Sequence, residues 1–215
     1  MAKTYSERHR SFEADKWYHI FNRGNQGQTI FFNDADRRRF LDRLHTLLHP
    51  YSELIAFCLL DNHFHLLIRI RSAEEIESVS PPGFILNTGN PSKIHTLVSE
   101  AFRRLFLAYA KSINRQQEIT GSIFQKTVRR IPVDDEQHLV RLIHYIHHNP
   151  VHHRFVAHFE DFRWSSYRSI VDHDDRYLDS AGVIRLFGSE KDFISMHHRE
   201  GELYKISEII PFDDV

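Results

Sequence analysis

Strand-like and helix-like segments alternate along the first 170 residues, and this alternation restricts the folds available to the chain. Residues 17–21 are aromatic and β-branched, which is typical of a strand, and residues 54–70 contain two further apolar stretches. We interpret the latter as a strand pair or one long bent strand. A last strand is predicted within 122–133, and helices are predicted over about 34–49, 90–113 and 134–150. Together they predict an α+β sandwich, in which helices pack on a sheet.

Polar residues and prolines mark the expected helix ends. Asp34 is predicted to cap the first helix and Asn90 the second. Asp134 is predicted to cap the third helix, with Gln137 placed for a capping-box contact and Pro150 ending it.

The rest of the chain is more irregular. Residues 72–91 are acidic and rich in Pro and Gly, which predicts a long loop. We assign residues 12–171 to a main domain containing this loop. Residues 172–215 form an acidic C-terminal extension, with one or two short helices expected between 178 and 210.

The distribution of charge and the cysteine content indicate which surfaces and which cellular compartment to expect for this protein. The net charge is −1, but residues 172–215 hold 11 acidic and five basic residues, so the remainder carries +5. A basic surface is therefore possible, particularly within 101–132. The single cysteine, Cys58, the polar N-terminus and the lack of a long apolar run predict a cytoplasmic protein without a membrane segment.

His63 and His65 lie two positions apart in an apolar segment, so in a strand both imidazoles project from one face. Neutral histidine is a common metal ligand, and two on one face make half of a metal site. Polar residues on a solvated strand face are an equally good explanation in a chain with 17 histidines. Cys58, at an odd offset from His63, is expected to be a small buried hydrophobe.

Tyr145 and Asn149 lie four positions apart on the third helix, so the phenol and the amide can approach one ligand. A tyrosine beside core leucines is more often a packing residue. Seven histidines fall between 138 and 158, and we expect most of them at the surface. A zinc cluster there would lack the usual cysteine spacing.

Six short segments of the sequence are more informative together than any single motif. They are, in order, YHIFNRG (18–24), IFFNDADRRRFL (30–41), DNHFHLLI (61–68), GSIFQK (121–126), YIHHNPVHHRFV (145–156) and FRWSSY (162–167). In this order they resemble the single-tyrosine transposases of the HUH superfamily (U is a hydrophobic residue), in particular the REP-associated tyrosine transposases. Leu60-Asp61 stands where relatives more often have Met-Pro.

The resemblance implies a ferredoxin-like or RRM-like sandwich with a mainly antiparallel sheet and a small C-terminal helical extension. It implies that His63, His65 and Asn149 bind a divalent metal, Mg²⁺ or Mn²⁺, and that Tyr145 is the nucleophile. The implied activity is metal-dependent DNA transposition: sequence- and hairpin-specific binding, single-stranded DNA cleavage, and strand transfer through a 5′-phosphotyrosine. Because metal-binding histidines must be neutral, we expect activity to fall below about pH 6.5.

The expected partner is single-stranded and hairpin DNA from palindromic repeats. Candidate DNA-binding residues are Arg23, Lys126, Arg129 and Arg130, since cations bind phosphates and aromatic rings stack on unpaired bases. Relatives commonly act as homodimers, so a dimer is possible. Two alternatives remain: a non-catalytic nucleic-acid-binding regulatory protein on the same fold, and a phosphodiesterase that hydrolyses DNA with water.

Overall fold

The computed structural model describes residues 11–79, 92–125 and 128–199. The strands are β1 (Trp17–Arg23), β2 (Ser52–Leu59), β3 (His63–Ile70) and β4 (Arg129–Val133). The helices are α1 (Asp34–Leu48), α2 (Ala73–Val79), α3 (Ser92–Gln117), α4 (Glu136–His152), α5 (Ser166–Val171), α6 (Ser180–Phe187) and α7 (Glu190–His197).

The four strands form one antiparallel sheet in the order β2-β3-β1-β4. This is the strand order of a ferredoxin-like fold, so the predicted α+β sandwich is confirmed. The segment 54–70 is a strand pair rather than one bent strand. Its register against β1 places Arg23 opposite His63 and Phe21 opposite His65, so the ends of β1 and β3 lie side by side.

The two faces of the sheet are covered by different helices. Phe64 on β3 contacts Phe40 of α1 and Phe106 of α3, with ring centroids 5.1 and 5.9 Å apart. His65, the next residue, points to the opposite face and meets Tyr145 of α4. The strand alternation therefore turns the two histidines away from α1 and α3 and toward α4.

The first part of the C-terminal extension packs onto the main domain. Its helices α6 and α7 agree with the prediction of one or two short helices. Leu178, Val183 and Phe193 are buried and belong to the same hydrophobic core as the sheet. Among the described residues, no helix is both long and apolar enough to cross a membrane.

Two predicted helix starts are wrong by one residue. Asn33, not Asp34, caps α1, because its extended backbone lets the side chain accept from the Asp36 amide. Asp135, not Asp134, caps α4 and accepts from the His138 amide. Gln137 is therefore too early in the helix for a capping box.

Helix α4 also continues past Pro150 to His152, although Pro150 was predicted to end it. A proline removes one backbone donor, but a helix that needs only two more residues tolerates that loss. Asn149 is thus held in regular helix, one turn after Tyr145.

The predicted loop at 72–91 is wrong in its first part, where residues 73–79 form α2. Ser72 and Glu75 make a reciprocal capping box: the serine hydroxyl accepts from the Glu75 amide, and the Glu75 carboxylate accepts from the Ser72 amide. The rest of the loop and the predicted Asn90 cap lie outside the described residues. Of the predicted strand 122–133, Arg129–Val133 is strand.

Candidate metal and nucleophile site

Strand β3 and helix α4 bring the four predicted site residues together within one chain. Asn149 Oδ1 lies 3.2 Å from His63 Nε2. The Tyr145 ring lies nearly perpendicular to the His65 ring, with centroids 5.7 Å apart. His65, Tyr145 and Asn149 are buried and His63 is partly buried, so the residues line a covered site and not a solvated strand face.

The shorter contact of His63, to Asn62, favours one tautomer of its ring. The Asn62 amide nitrogen donates to the Gly27 carbonyl at 3.4 Å, so its oxygen faces His63 Nδ1, 2.7 Å away. An oxygen there accepts a hydrogen bond from Nδ1–H, which leaves a lone pair on Nε2 of neutral His63. That lone pair faces Asn149.

His65 has a corresponding partner that sequence reasoning missed. Nδ1 of His65 lies 3.0 Å from Nε2 of His19, which is on the neighbouring strand β1. Both rings are almost fully buried. The other nitrogen, His65 Nε2, has no hydrogen-bond partner among the described residues. The signal in the sequence was a histidine inside the aromatic strand 17–21, but its meaning depended on the pairing of β1 with β3.

Burial keeps these imidazoles neutral. Desolvation, assisted by His153, lowers the pKa of His63 to about 3. Desolvation and the neighbouring His19 lower the pKa of His65 well below its usual value. The expected loss of neutral ligands near pH 6.5 is therefore wrong, because that value applies to a solvated histidine. Both side chains are ready to donate a lone pair at neutral pH.

A glycine loop after β1 holds Asn62 in place. A Cβ on Gly24 would overlap the Gln28 carbonyl, so this tight turn needs glycine. The Gly24 amide donates to the Asn62 carbonyl at 2.8 Å, and the Gly27 carbonyl accepts from the Asn62 side chain. The loop from Gly24 to Gly27 after β1 thus supports the start of β3.

Asp61, which departs from the Met-Pro of relatives, is tied to α1. Its carboxylate pairs with the buried Arg37, whose Nε also donates to the Leu59 carbonyl at 3.1 Å. The Asp61 carbonyl accepts from the amides of Ile30 and Phe31 at 2.7 and 2.9 Å. An ion pair and three hydrogen bonds therefore fix the turn that leads into His63.

The donor set fits a divalent cation. It consists of two neutral imidazoles and one amide oxygen, with a buried imidazole nitrogen, His65 Nε2, that lacks a partner among the described residues. No cluster of three or more His, Cys, Asp or Glu suited to a metal is found in the described part of the chain. Cys58 lies opposite His65 in the sheet but is fully buried, and burial raises the pKa of its thiol.

Comparison with known proteins bears on the fold. The structure of a REP-associated tyrosine transposase bound to a REP hairpin matches 81% of this chain and 87% of that chain, with a TM-score of 0.55 and 14% identity. This chain has the fold of that transposase. No protein-family model and no curated protein matches the sequence. The structural match agrees with the family resemblance of the six segments.

The candidate DNA-binding residues do not all lie on one face of the sheet. Arg23 lies opposite His63 on the α4 side of the sheet, and its Nε has no hydrogen-bond partner among the described residues. Arg129 pairs with Phe21 and points to the same face. Arg130 points to the other face, where its guanidinium lies 4.8 Å from the Phe12 ring in a cavity of about 560 Å³. Lys126 lies outside the described residues.

Most histidines of this part of the chain are buried or partly buried, contrary to our expectation. Of the seven histidines between 138 and 158, two are exposed, His152 and His158. His144 and His147 are buried against α7, where His147 Nδ1 lies 2.8 Å from His197 Nε2. Amphipathic spacing could not reveal this, because a second helix covers the face that sequence alone assigned to solvent.

A buried hydrogen-bond chain runs through this second side of α4. His197 Nδ1 donates to the Phe193 carbonyl, so its Nε2 accepts from His147 Nδ1. His147 Nε2 then accepts from the Ser166 hydroxyl at 2.7 Å, and Ser166 accepts from the Phe57 amide at 2.9 Å. The chain links β2, α5, α4 and α7 and satisfies every nitrogen of the two imidazoles.

Proposed function

We propose that this protein is a single-tyrosine HUH transposase that cleaves single-stranded DNA beside a hairpin and joins it to another strand. The observation that carries the proposal is the meeting of His63, His65, Asn149 and Tyr145 on a fold shared with a hairpin-bound transposase. The residues come from two elements, strand β3 and helix α4. His63 and Asn149, which are in contact, are 86 positions apart in the sequence.

His63, His65 and Asn149 are the residues that would hold Mg²⁺ or Mn²⁺. When bound, the cation supplies Lewis acidity and positive charge at the scissile phosphate. The protein residues do the positioning: Asn62 orients His63, and burial keeps both histidines neutral and able to donate lone pairs.

Tyr145 supplies the nucleophile. Its phenolic oxygen attacks phosphorus and loses its proton, while the bond from phosphorus to the 3′ oxygen breaks. The leaving 3′ oxygen takes up a proton, giving a 3′-hydroxyl and a 5′-phosphotyrosine. The 3′-hydroxyl of another strand reverses these steps and releases the tyrosine. The number of phosphodiester bonds is conserved, so no nucleotide cofactor is needed.

Neither His144 nor His148 is placed to receive the tyrosine proton. His148 Nε2 donates to the His197 carbonyl, and the His144 ring lies 5.3 Å from the His197 ring. Both therefore face α7, whereas Tyr145 faces the sheet. We assign no protein base to this step.

Arg23 and Arg129 are the candidate phosphate-binding residues on the face of the site. A cationic face suits the phosphates of single-stranded DNA next to a hairpin stem. The four site residues come from one chain, so a homodimer is not needed to complete them. Action on cellular DNA fits the cytoplasmic location predicted from the cysteine content.

The test uses a labelled hairpin oligonucleotide with a single-stranded flank, the full chain and Mn²⁺. We expect a protein–DNA adduct that survives denaturing electrophoresis, together with a free 3′-hydroxyl product. Tyr145→Phe should abolish the adduct, and His63→Ala combined with His65→Ala should abolish cleavage. Tyr177→Phe, which changes a partly buried tyrosine hydrogen-bonded to Asp42 outside the site, is the matched control and should retain both.

The alternatives give different products. A non-catalytic binder would retain the hairpin but leave it intact with either cation. A hydrolase would cleave repeatedly and form no adduct. Either result would overturn the proposed transesterification.

A further inference from the structure

We propose that His19 is a positioning residue that holds His65 in the tautomer needed for metal binding. The inference rests on the proposed function, because it concerns how the same metal site is prepared. His19 Nε2 accepts a hydrogen bond from the Nδ1–H of His65, so that Nε2 of His65 keeps its lone pair for the cation.

The contact leaves few alternatives. His19 Nε2 and His65 Nδ1 are 3.0 Å apart, and the two rings are within 18° of parallel with centroids 5.2 Å apart. Each neutral imidazole has one N–H, so one ring must donate and the other accept. If His65 is the donor, its proton is on Nδ1 and its lone pair is on Nε2. If His19 is the donor, Nε2 of His65 carries a proton and cannot bind a metal.

His63 shows the same arrangement through a different residue. Its Nδ1 faces the Asn62 oxygen at 2.7 Å, and its Nε2 faces Asn149. In both histidines, therefore, Nδ1 has a hydrogen-bonding partner. Nε2 of His63 faces Asn149, and Nε2 of His65 has no hydrogen-bond partner among the described residues. Metal-binding histidines generally donate their second nitrogen to such an outer partner, which fixes the ring and its tautomer.

The position of His19 makes it a rigid partner. Strand β1 is hydrogen-bonded on both sides, to β3 and to β4, so the backbone of His19 cannot shift easily. Its ring packs against Phe21, with centroids 4.7 Å apart, and against Tyr145 at 6.5 Å. The same residue thus contacts a candidate metal ligand and the candidate nucleophile.

A neutral partner also suits an anionic substrate. A carboxylate in the place of His19 would offset the positive charge of the cation. An imidazole accepts the same hydrogen bond without adding negative charge, so the full attraction for a phosphodiester remains.

The test compares two variants for Mn²⁺ affinity without DNA, measured by calorimetry on the full chain. His19→Leu removes the acceptor and should weaken Mn²⁺ binding about 10- to 100-fold. His19→Gln places an amide oxygen near the lost nitrogen and should restore most of the affinity. Saturating Mn²⁺ should return adduct formation by His19→Leu toward the parent rate, which a purely structural defect would not do.

The tautomer itself gives a second readout that needs no variant. Imidazole ¹⁵N–¹H correlation spectra of the Mg²⁺-loaded parent should show the proton of His65 on Nδ1. A proton on Nε2, or equal Mn²⁺ affinity for the parent and His19→Leu, would overturn the inference. A parent protein that neither binds Mn²⁺ nor forms the adduct would instead overturn the proposed function, and with it the basis of this inference.

Discussion

Nε2 of His63 lies 3.2 Å from Oδ1 of Asn149, and this contact joins strand β3 to helix α4. One residue belongs to the sheet and the other to the helix that covers it. The geometry of the candidate metal site therefore depends on how α4 packs, and not on β3 alone.

The first prediction concerns this contact. Asn149→Ala removes the amide oxygen, so Mn²⁺ affinity should fall at least about tenfold, since losing even an outer partner of a ligand costs about that much. Asn149→Asp keeps an oxygen and adds charge, so it should bind Mn²⁺ at least as well as the parent. Asn114→Ala, in helix α3 on the other face of the sheet, is the control. Equal affinity in all four proteins, measured by calorimetry, would remove Asn149 from the site.

The spacing of the site residues was readable from sequence, but their meeting was not. Two histidines two apart in a strand share a face, and Tyr145 and Asn149 four apart share a helix flank. Which helix covers which face depends on tertiary packing. The family resemblance supplied the connection, and the structure places the four residues close together.

His19 and Ser166 could not be assigned a part from sequence at all. His19 matters because the pairing of β1 with β3 puts it beside His65. Ser166 matters because α5 returns to β2 and α4, where its hydroxyl meets His147. Both relationships join residues distant in sequence, for which local periodicity carries no signal.

The second prediction tests the connection between α7 and α4. His197 is buried and accepts a hydrogen bond from His147, so His197→Ala removes that bond and leaves a cavity. We expect a loss of about 2–3 kcal/mol in the free energy of unfolding. His198→Ala changes the adjacent, exposed residue and should change stability little. Urea unfolding of the two variants checks this. Equal losses of stability would show that the buried hydrogen-bond chain contributes nothing to the free energy of unfolding.

The third prediction is acid sensitivity. Burial lowers the pKa of His197 to about 3 and that of His147 well below its usual value; the groups facing them include His144, His148 and His198. Below about pH 6.5 these two imidazoles bind protons in the unfolded chain but stay neutral in the folded chain. Stability should therefore be full above pH 6.5 and decline as the pH falls toward 3.

For His197 alone the loss at pH 5 relative to pH 7.5 should be about 2 kcal/mol. The measurement is urea unfolding at the two pH values, with His197→Phe expected to lose less stability between them than the parent. Unchanged stability of the parent at pH 5 would contradict the assignment of neutral, buried histidines.

The fourth prediction separates the arginines by face. Arg129→Ala removes a cation on the α4 side of the sheet, so hairpin DNA should bind more weakly and the salt dependence should fall by about one phosphate contact. Arg130→Ala changes a half-buried residue on the other face and should reduce stability more than DNA affinity. Fluorescence anisotropy at several salt concentrations distinguishes them, and equal slopes for both variants would contradict the assignment.

The central claim is that Tyr145 becomes joined to DNA. The most direct measurement is mass spectrometry of the protein after reaction with the hairpin oligonucleotide and Mn²⁺, followed by nuclease and protease digestion. We expect a nucleotide-phosphate adduct on the peptide containing Tyr145 and on no other tyrosine. Cleaved DNA with no modified peptide, or an adduct that maps elsewhere and persists in Tyr145→Phe, would contradict the account.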